Sequence, residues 1–333
     1  GTGELTLSGD NSSSGGATII GGISQVALTD LKHAAVGNSG VLQVGEGELE
    51  NTLSGWRSGV DTGVCEPALS GGNDYSGGTT IIGGTLTADH ADSLGTGAVA
   101  NSGVLQVGEG ELENPLSGSG SLVKTGTSDL TLSGDNSYSG GTTIIGGTLT
   151  ADHADSLGTG AVANSGVLQV GEGELENTLS GSGSLVKTGT GELTLSGDNS
   201  YSGGTTIIGG TLTADHADSL GTGAVANSGV LQVGEGELEN ILSGSGSLVK
   251  TGTGELTLSG DNTYSGGTTI TGGTLTADHA DSLGSGDIDN SGVLKVGEGD
   301  LEKLVAGGGW LEETGTGELT LSGGNDYSGG TTI

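Results

Sequence analysis

The chain has no phenylalanine and no methionine, only two prolines, and a single cysteine. Aromatic residues make up 2% of its 333 residues, so a deep core filled by rings is excluded. Cys65 stands alone, which forbids an internal disulfide and does not discriminate between an oxidising compartment and the cytosol. No apolar run approaches the roughly 18 residues a membrane helix needs, so direct membrane insertion is not expected. No secretory signal pattern opens the sequence. Positive charge is scarcest of all: seven Lys plus Arg face 41 Asp plus Glu, a formal net charge of -34. Binding to a phosphate backbone needs clustered Lys and Arg, so nucleic acid is not an expected partner, and an anionic membrane surface fits no better. Cation-dependent contacts, or cationic and neutral partners, suit this charge. Its plainest use is to keep a long, edge-rich β protein soluble.

What is present is repetition. The 75 glycines come with regular runs of Leu, Ile, Val and Thr rather than a low-complexity tract. Residues 137–190 return as 200–253 with one change, Thr178 becoming Ile241; one copy earlier Pro115 stands at that place. Tyr75, Tyr138, Tyr201, Tyr264 and Tyr327 mark the period, each 63 positions after the last. A chain built this way is a stacked array, and its function is expected along a surface rather than in one pocket. It opens mid-unit at Gly1 and stops mid-unit at Ile333, which reads as a fragment truncated at both ends.

Within a unit the strand signals are short and separated by Gly-rich turns: SLVKTG, ELTLSG, TTIIGG, GTLTA, AVANSG, VLQVG and LENIL or LENTL. Leu193 and Leu195 share one face of ELTLS, with Glu192 and Thr194 on the other, and Leu212 lies between Thr211 and Thr213. This is the period of two of a half-buried strand. The best helical candidate, residues 214–221, makes at most one turn. Such short strands do not make a stable hairpin stack alone, but coiling lets each turn pair with the next. The sequence therefore predicts an all-β solenoid with about three coils of roughly 21 residues per unit. At about 4.8 Å per coil, roughly 16 coils would give a rod of about 75 Å.

Residues 75–333 carry the near-identical repeats, and residues 1–74 form a divergent N-terminal repeat of the same solenoid. There the step from Gly22 to Asn38 is one position shorter than the step from Gly147 to Asn164. Residues 56–68 keep the expected length but few of the expected residues, and they hold Arg57, Cys65 and Pro67. A compensated frameshift, an ordinary divergent coil and an insertion-like loop are all consistent with that.

One stretch is more specific. Lys187, Thr188, Gly189, Gly191, Leu193, Leu195, Ser196, Gly197, Asn199, Tyr201, Gly203, Thr205, Gly210 and Leu212 follow a K-T-G-x-G-x-L-x-L-S-G, N-x-Y-x-G-x-T, G-x-L pattern. In this the chain resembles the passenger-associated transport repeat of bacterial autotransporters, with full copies from Lys124, Lys187 and Lys250. Departures are Ser13 for Tyr, Asp61 and Glu313 for Lys, and Pro67 for Leu. The resemblance implies a right-handed parallel β-helix, exported through the outer membrane of a Gram-negative bacterium by a C-terminal β-barrel outside this sequence. It implies display on the cell surface or release. It also implies roles such as adhesion, autoaggregation or biofilm formation, with surface glycans or proteins, or another copy, as partners.

Candidates for chemistry are few. Glu109, Glu111 and Glu113 recur as Glu172, Glu174, Glu176 and as Glu235, Glu237, Glu239. Glu174 and Glu176 flank an inward Leu175 and so face solvent; stacked copies three coils apart, roughly 14 Å, are too distant to share one ion. A solvated face is the main reading, and weak divalent binding between neighbouring coils the alternative. His90, His153, His216 and His279 each sit between two aspartates and read as exposed corner residues. GGNDYSGG at residues 71–78 has the wrong spacing for a calcium-binding nonapeptide roll. No G-x-S-x-G occurs and no Gly-Lys pair, which removes a nucleophile elbow and a P-loop. Asn177 shares the parity of Leu175 and Leu179, as for an internal ladder. Its counterpart Lys303 could not sit unpaired in a core, so a turn position is equally open. No catalytic, cofactor-binding or metal-binding residue is assigned, and no cofactor is expected. The reading is a structural adhesin or self-association rod. A passive stalk that aids secretion and presents a distal domain is the alternative, and a polysaccharide-active enzyme a third.

Overall fold

The computed structural model describes residues 66–333 in full and, before them, the backbone of eight short strands between Glu4 and Asp61. Ser13, Trp56, Arg57 and Cys65 lie outside the described residues, as does most of the divergent segment 56–68. The chain divides into two compact units, residues 1–168 and 169–333. Each is a parallel β-solenoid; among the described residues helix is limited to four single 3₁₀ turns, at Ala91–Leu94, Ala154–Leu157, Ala217–Leu220 and Ala280–Leu283. None is long enough to cross a membrane.

In the second unit a coil crosses three sheets. Val230–Leu238 starts in the first sheet beside Thr211–His216, turns a corner, and ends in the second beside Glu255–Leu258. Leu242–Ser243 lies in the third sheet beside Val225–Asn227, and Ser247–Lys250 returns to the first. The corner within Val230–Leu238 is made at Gly236, whose φ of 111° disfavours any side chain. The strand signal VLQVG thus extends through GEGEL into one bent nine-residue strand, and LENTL shrinks to Leu179–Ser180.

Register sets the pitch. Glu192 pairs with Thr211, Thr211 with Val230 and Val230 with Ser247, steps of 19, 19 and 17 positions. Leu248 pairs with Thr268, Thr268 with Ile288 and Ile288 with Val305, steps of 20, 20 and 17. A coil is therefore about 19 residues long, shorter than the roughly 21 expected, and the repeat unit winds about three and a third coils. The extra third has a visible consequence. Glu192–Leu195 lies in the first sheet but its copy Glu255–Leu258 in the second; Ser184–Lys187 lies in the third but its copy Ser247–Lys250 in the first. The first unit behaves alike, with Thr85–His90 and Thr148–His153 in different sheets. Within each unit, a repeat is turned one face from the one before it.

The core is a column of aliphatic side chains supplied by alternate strand residues. Leu193, Leu195, Ile207, Leu212, Val225, Leu231, Val233 and Leu238 are essentially inaccessible to solvent. Each contributes about 1.5–3 kcal/mol relative to exposure. Aromatic volume enters once per repeat: Tyr75, Tyr138, Tyr201 and Tyr264 are buried, each phenol hydrogen-bonded to the threonine four residues on at 2.6–2.7 Å. Gly221, at φ 62°, lies flat on the Tyr201 ring and carbonyl, where a Cβ would overlap both. That glycine closes the 3₁₀ turn Ala217–Leu220.

Asparagines staple the coils. The Asn262 carbonyl oxygen accepts from the Leu242 N–H one coil before, and its amide donates to the Ser282 carbonyl one coil after, both at 2.8 Å. Asn227 donates to Ser247 and accepts from Gly229. Asn262→Ala orphans one buried donor and one acceptor, so a loss of about 2 kcal/mol is expected, measurable by urea denaturation. A loss below about 0.5 kcal/mol would show that water replaces the staple.

Candidate functional site

With the core closed by aliphatics, polar chemistry is confined to the carbonyl-lined corners, the histidine rungs and the acidic ground beside the 3₁₀ turns. All three are made by the same coil geometry.

The corners hold a residue that sequence reasoning treated only as a motif letter. Lys124, Lys187 and Lys250 are fully buried. Lys250 follows Leu248 in strand parity, so it points inward, and its ammonium reaches the next turn. There Nζ donates to the carbonyls of Thr251, Gly252 and, one coil on, Gly272. Lys187 repeats this with Thr188, Gly189 and Gly209, and Lys124 with Thr125, Gly126 and Gly146. Burial pushes all three ammonium pKa values down; Glu235 acts the other way on Lys250, Glu172 on Lys187, and Asp129 and Glu109 on Lys124. The strongest hint was the K-T-G sequence: an ammonium next to glycines free to turn their carbonyls toward it. Glu313 takes the lysine's place on the last rung, and one of its carboxylate oxygens is buried without a partner. A cage of carbonyls has no donor for it.

The histidines are exposed, as expected, but have neighbours the sequence did not disclose. Because the register step there is 19 positions, His90 pairs with Glu109, His216 with Glu235 and His279 with Glu298. The side chains meet at 3.0, 3.4 and 3.5 Å. These exposed pairs clasp adjacent coils weakly. Among the described residues no group of three His, Cys, Asp or Glu side chains converges to hold a metal ion.

The third feature is an open cleft beside the 3₁₀ turn. In the first unit Asp92, Glu111 and Glu113 line it above Asn114; in the second, Asp218, Glu237 and Glu239 line one above Asn240. A further copy is lined by Asp281, Asp300 and Glu302, with Lys303 in place of the asparagine. Asn240 is buried and its amide donates to the Gly221 and Gly223 carbonyls; Asn114 does the same to Gly95 and Gly97. The inward position is thus a clasp on turn carbonyls at Asn114 and Asn240, and Asn177, at the same place in its repeat, is buried. Lys303 resolves the objection raised from sequence, since it is not unpaired. Its ammonium donates to the carbonyls of Ala280 and Gly284. Burial lowers its pKa and Asp281 opposes the shift.

The copies of these clefts do not stack above one another. Gly236–Leu238 pairs in the second sheet, and its counterpart Gly299–Leu301 pairs in a further one, with Leu319–Leu321. The picture of like carboxylates stacked on one face, three coils apart, is corrected by the extra third of a coil. Acidic ground is dealt to successive faces instead of forming one stripe. Nor do the exposed Ile82 and Ile145 of the first unit, each about 60% accessible, form a column. They follow strands that change sheet with each repeat.

Comparison with known proteins follows the same repeats. The family model for the passenger-associated-transport-repeat matches six segments: residues 1–23, 68–88, 122–151, 185–214, 248–277 and 311–333. The chain is 31% identical over 242 residues to the uncharacterized lipoprotein YdeK of Escherichia coli K12, covering 63% of this chain and 18% of that protein. It is 32% identical over 196 residues to the adhesin BmaC autotransporter of Brucella suis biovar 1, covering 48% of this chain and 6% of that protein. The chain thus spans less than a fifth of either relative. No solved structure matches it significantly.

Proposed function

This chain is an autotransporter passenger segment built on passenger-associated transport repeats, and from that premise we propose that it acts by lateral adhesion: a non-enzymatic array that holds surfaces or like chains together. Its setting is the cell surface or the space outside it. One observation carries the reading. Successive repeats offer similar exposed acidic and polar ground, and within a unit the face shift turns it to a new side. Many weak contacts then sum by multivalency, and contacts on several sides cross-link rather than zip. The similarity to an adhesin supports this and does not supply the ligand.

Charge makes the reading testable. Chains with a net charge of -34 repel, and a Debye length of about 8 Å limits the range at physiological salt. Aggregation of the purified protein, followed by light scattering, is expected to increase with sodium chloride and at lower concentrations of magnesium. Aggregation lost on adding salt would overturn lateral contact between like chains. Deleting residues 184–246 separates the alternative: a stalk loses reach only, whereas an adhesive array loses binding in proportion.

A further inference from the structure

On the sheet face that carries Lys295 the outward residues are rewritten while the leucines beneath them are kept. In the preceding repeat Val230 pairs with Ser247 and Gln232 with Val249; here Val293 pairs with Trp310 and Lys295 with Glu312. Leu294 and Leu311 stay buried between them, as Leu231 and Leu248 do. Trp310 therefore projects outward, and at 54% accessible it is the most exposed aromatic among the described residues. Its ring leans on Gly330, one coil further, where a Cβ would come within 3.2 Å of the six-membered ring. Glu312 stands two positions along the same strand, about 7 Å away, and Lys295 one coil back from Glu312, about 4.8 Å. The two charged groups approach to 3.9 Å and both are partly exposed.

We propose that Trp310, Lys295 and Glu312 form a subsite for one neutral hexopyranose, the sugar ring stacking on the indole and its hydroxyls meeting the ion pair. The surroundings select this occupant. A cation would face Lys295, and an anion would face Glu312 and a chain of net charge -34. An apolar side chain laid on the indole would strip water from the Lys295–Glu312 pair and return no hydrogen bond. A pyranose has a C–H face to lay on an aromatic ring. The hydroxyls at its rim both donate and accept, so they serve ammonium and carboxylate alike. One ring beside one charge pair, about 7 by 5 Å, is also the footprint of a single sugar. The inference goes beyond contact through the acidic ground and fails separately from it: salt-driven aggregation needs no Trp310, and sugar binding needs no aggregation.

The test is nuclear magnetic resonance of the intact chain, titrated with the methyl β-glycosides of glucose, galactose, mannose and N-acetylglucosamine. The Trp310 indole Nε1–H signal, identified by its loss in Trp310→Ser, should shift with at least one glycoside and saturate with a Kd of about 1–10 mM. Saturation transfer from the protein to the C–H protons of that sugar should vanish in Trp310→Ser, which restores the serine of the other copies and so keeps the fold. Lys295→Gln with Glu312→Val likewise restores residues of the preceding repeat; with Trp310 in place it should weaken binding about tenfold. Sorbitol, which has the hydroxyls but no ring face, should leave the signal where it is. An equal shift with sorbitol would overturn the proposal, as would no shift with any of the four glycosides. So would undiminished binding by the double variant. A Trp310 signal that moves with protein concentration and not with sugar would overturn it too, assigning the ring to a second copy of the chain.

Discussion

Replacing Lys250 with methionine is expected to destabilise its coils by about 4 kcal/mol, a large cost for a change that preserves side-chain volume. The carbonyls of Thr251, Gly252 and Gly272 lose the donor they share, and each hydrogen bond from a charged group is worth about 1.5–3 kcal/mol. Relief from burying an ammonium returns part of that, since a buried charge is itself costly. Removing the charge while leaving the acceptors is nevertheless the unfavourable half of the exchange. Because a solenoid couples mainly nearest neighbours, the damage should stay local. Hydrogen exchange should rise at Leu248 and Ile270 and remain unchanged two repeats away. The comparison is Lys295→Met: that lysine is only partly buried and faces Glu312 at 3.9 Å, so its loss should cost under about 0.5 kcal/mol. Equal effects of the two substitutions would show that the cage contributes nothing.

That lysine marks where the sequence stops being legible. The 63-position period, the strand alternation and the motif residues were enough for a parallel β-solenoid, because alternation needs only local sterics and burial. Pitch was not legible. The length of a coil depends on how a bent strand such as Val230–Leu238 divides between two sheets, and GEGEL reads equally well as a turn. From the pitch follow the His216–Glu235 pair and the rotation of each repeat. Burial of Lys187 was hidden for another reason. Strand parity placed it inward beside Leu185, but a charged residue in an apolar run is ordinarily read as facing out, and only the corner shows the carbonyls that receive it. Asn177 was half legible: its parity was right, and Lys303 looked like an objection until the turn carbonyls supplied a partner for either residue. In each case the unread part is a contact between coils, which no window along the chain contains.

Alkaline titration should expose the other set of buried polar groups, with an effect larger than that of any single substitution. Burial pushes the phenols of Tyr75 and Tyr201 up to about 12 from an ordinary 10.0, and those of Tyr138 and Tyr264 higher still, against the smaller opposing effect of their threonine hydrogen bonds. A phenol raised in the folded state contributes stability that is fully present below pH 10 and is lost as pH climbs toward the folded value, because the unfolded chain ionises first. Such a rise corresponds to about 3 kcal/mol per tyrosine, so each compact unit, with two buried tyrosines, loses on the order of 5 kcal/mol. The caged lysines act oppositely. Their lowered pKa values make stability rise with pH, but that gain ends at the free-lysine value of 10.5, beyond which both states are neutral. Stability should therefore hold or increase up to about pH 10 and then collapse before pH 12. Tyrosinate absorbance should appear in the same cooperative step as the loss of β circular dichroism. Replacing Tyr201 and Tyr264 with phenylalanine removes the ionisable groups and should move the midpoint of the second unit upward, despite the lost bonds to Thr205 and Thr268. Gradual ionisation centred near pH 10 with the circular dichroism intact would mean that the phenols reach solvent without unfolding. The buried tyrosines would then be no part of what holds the coils together.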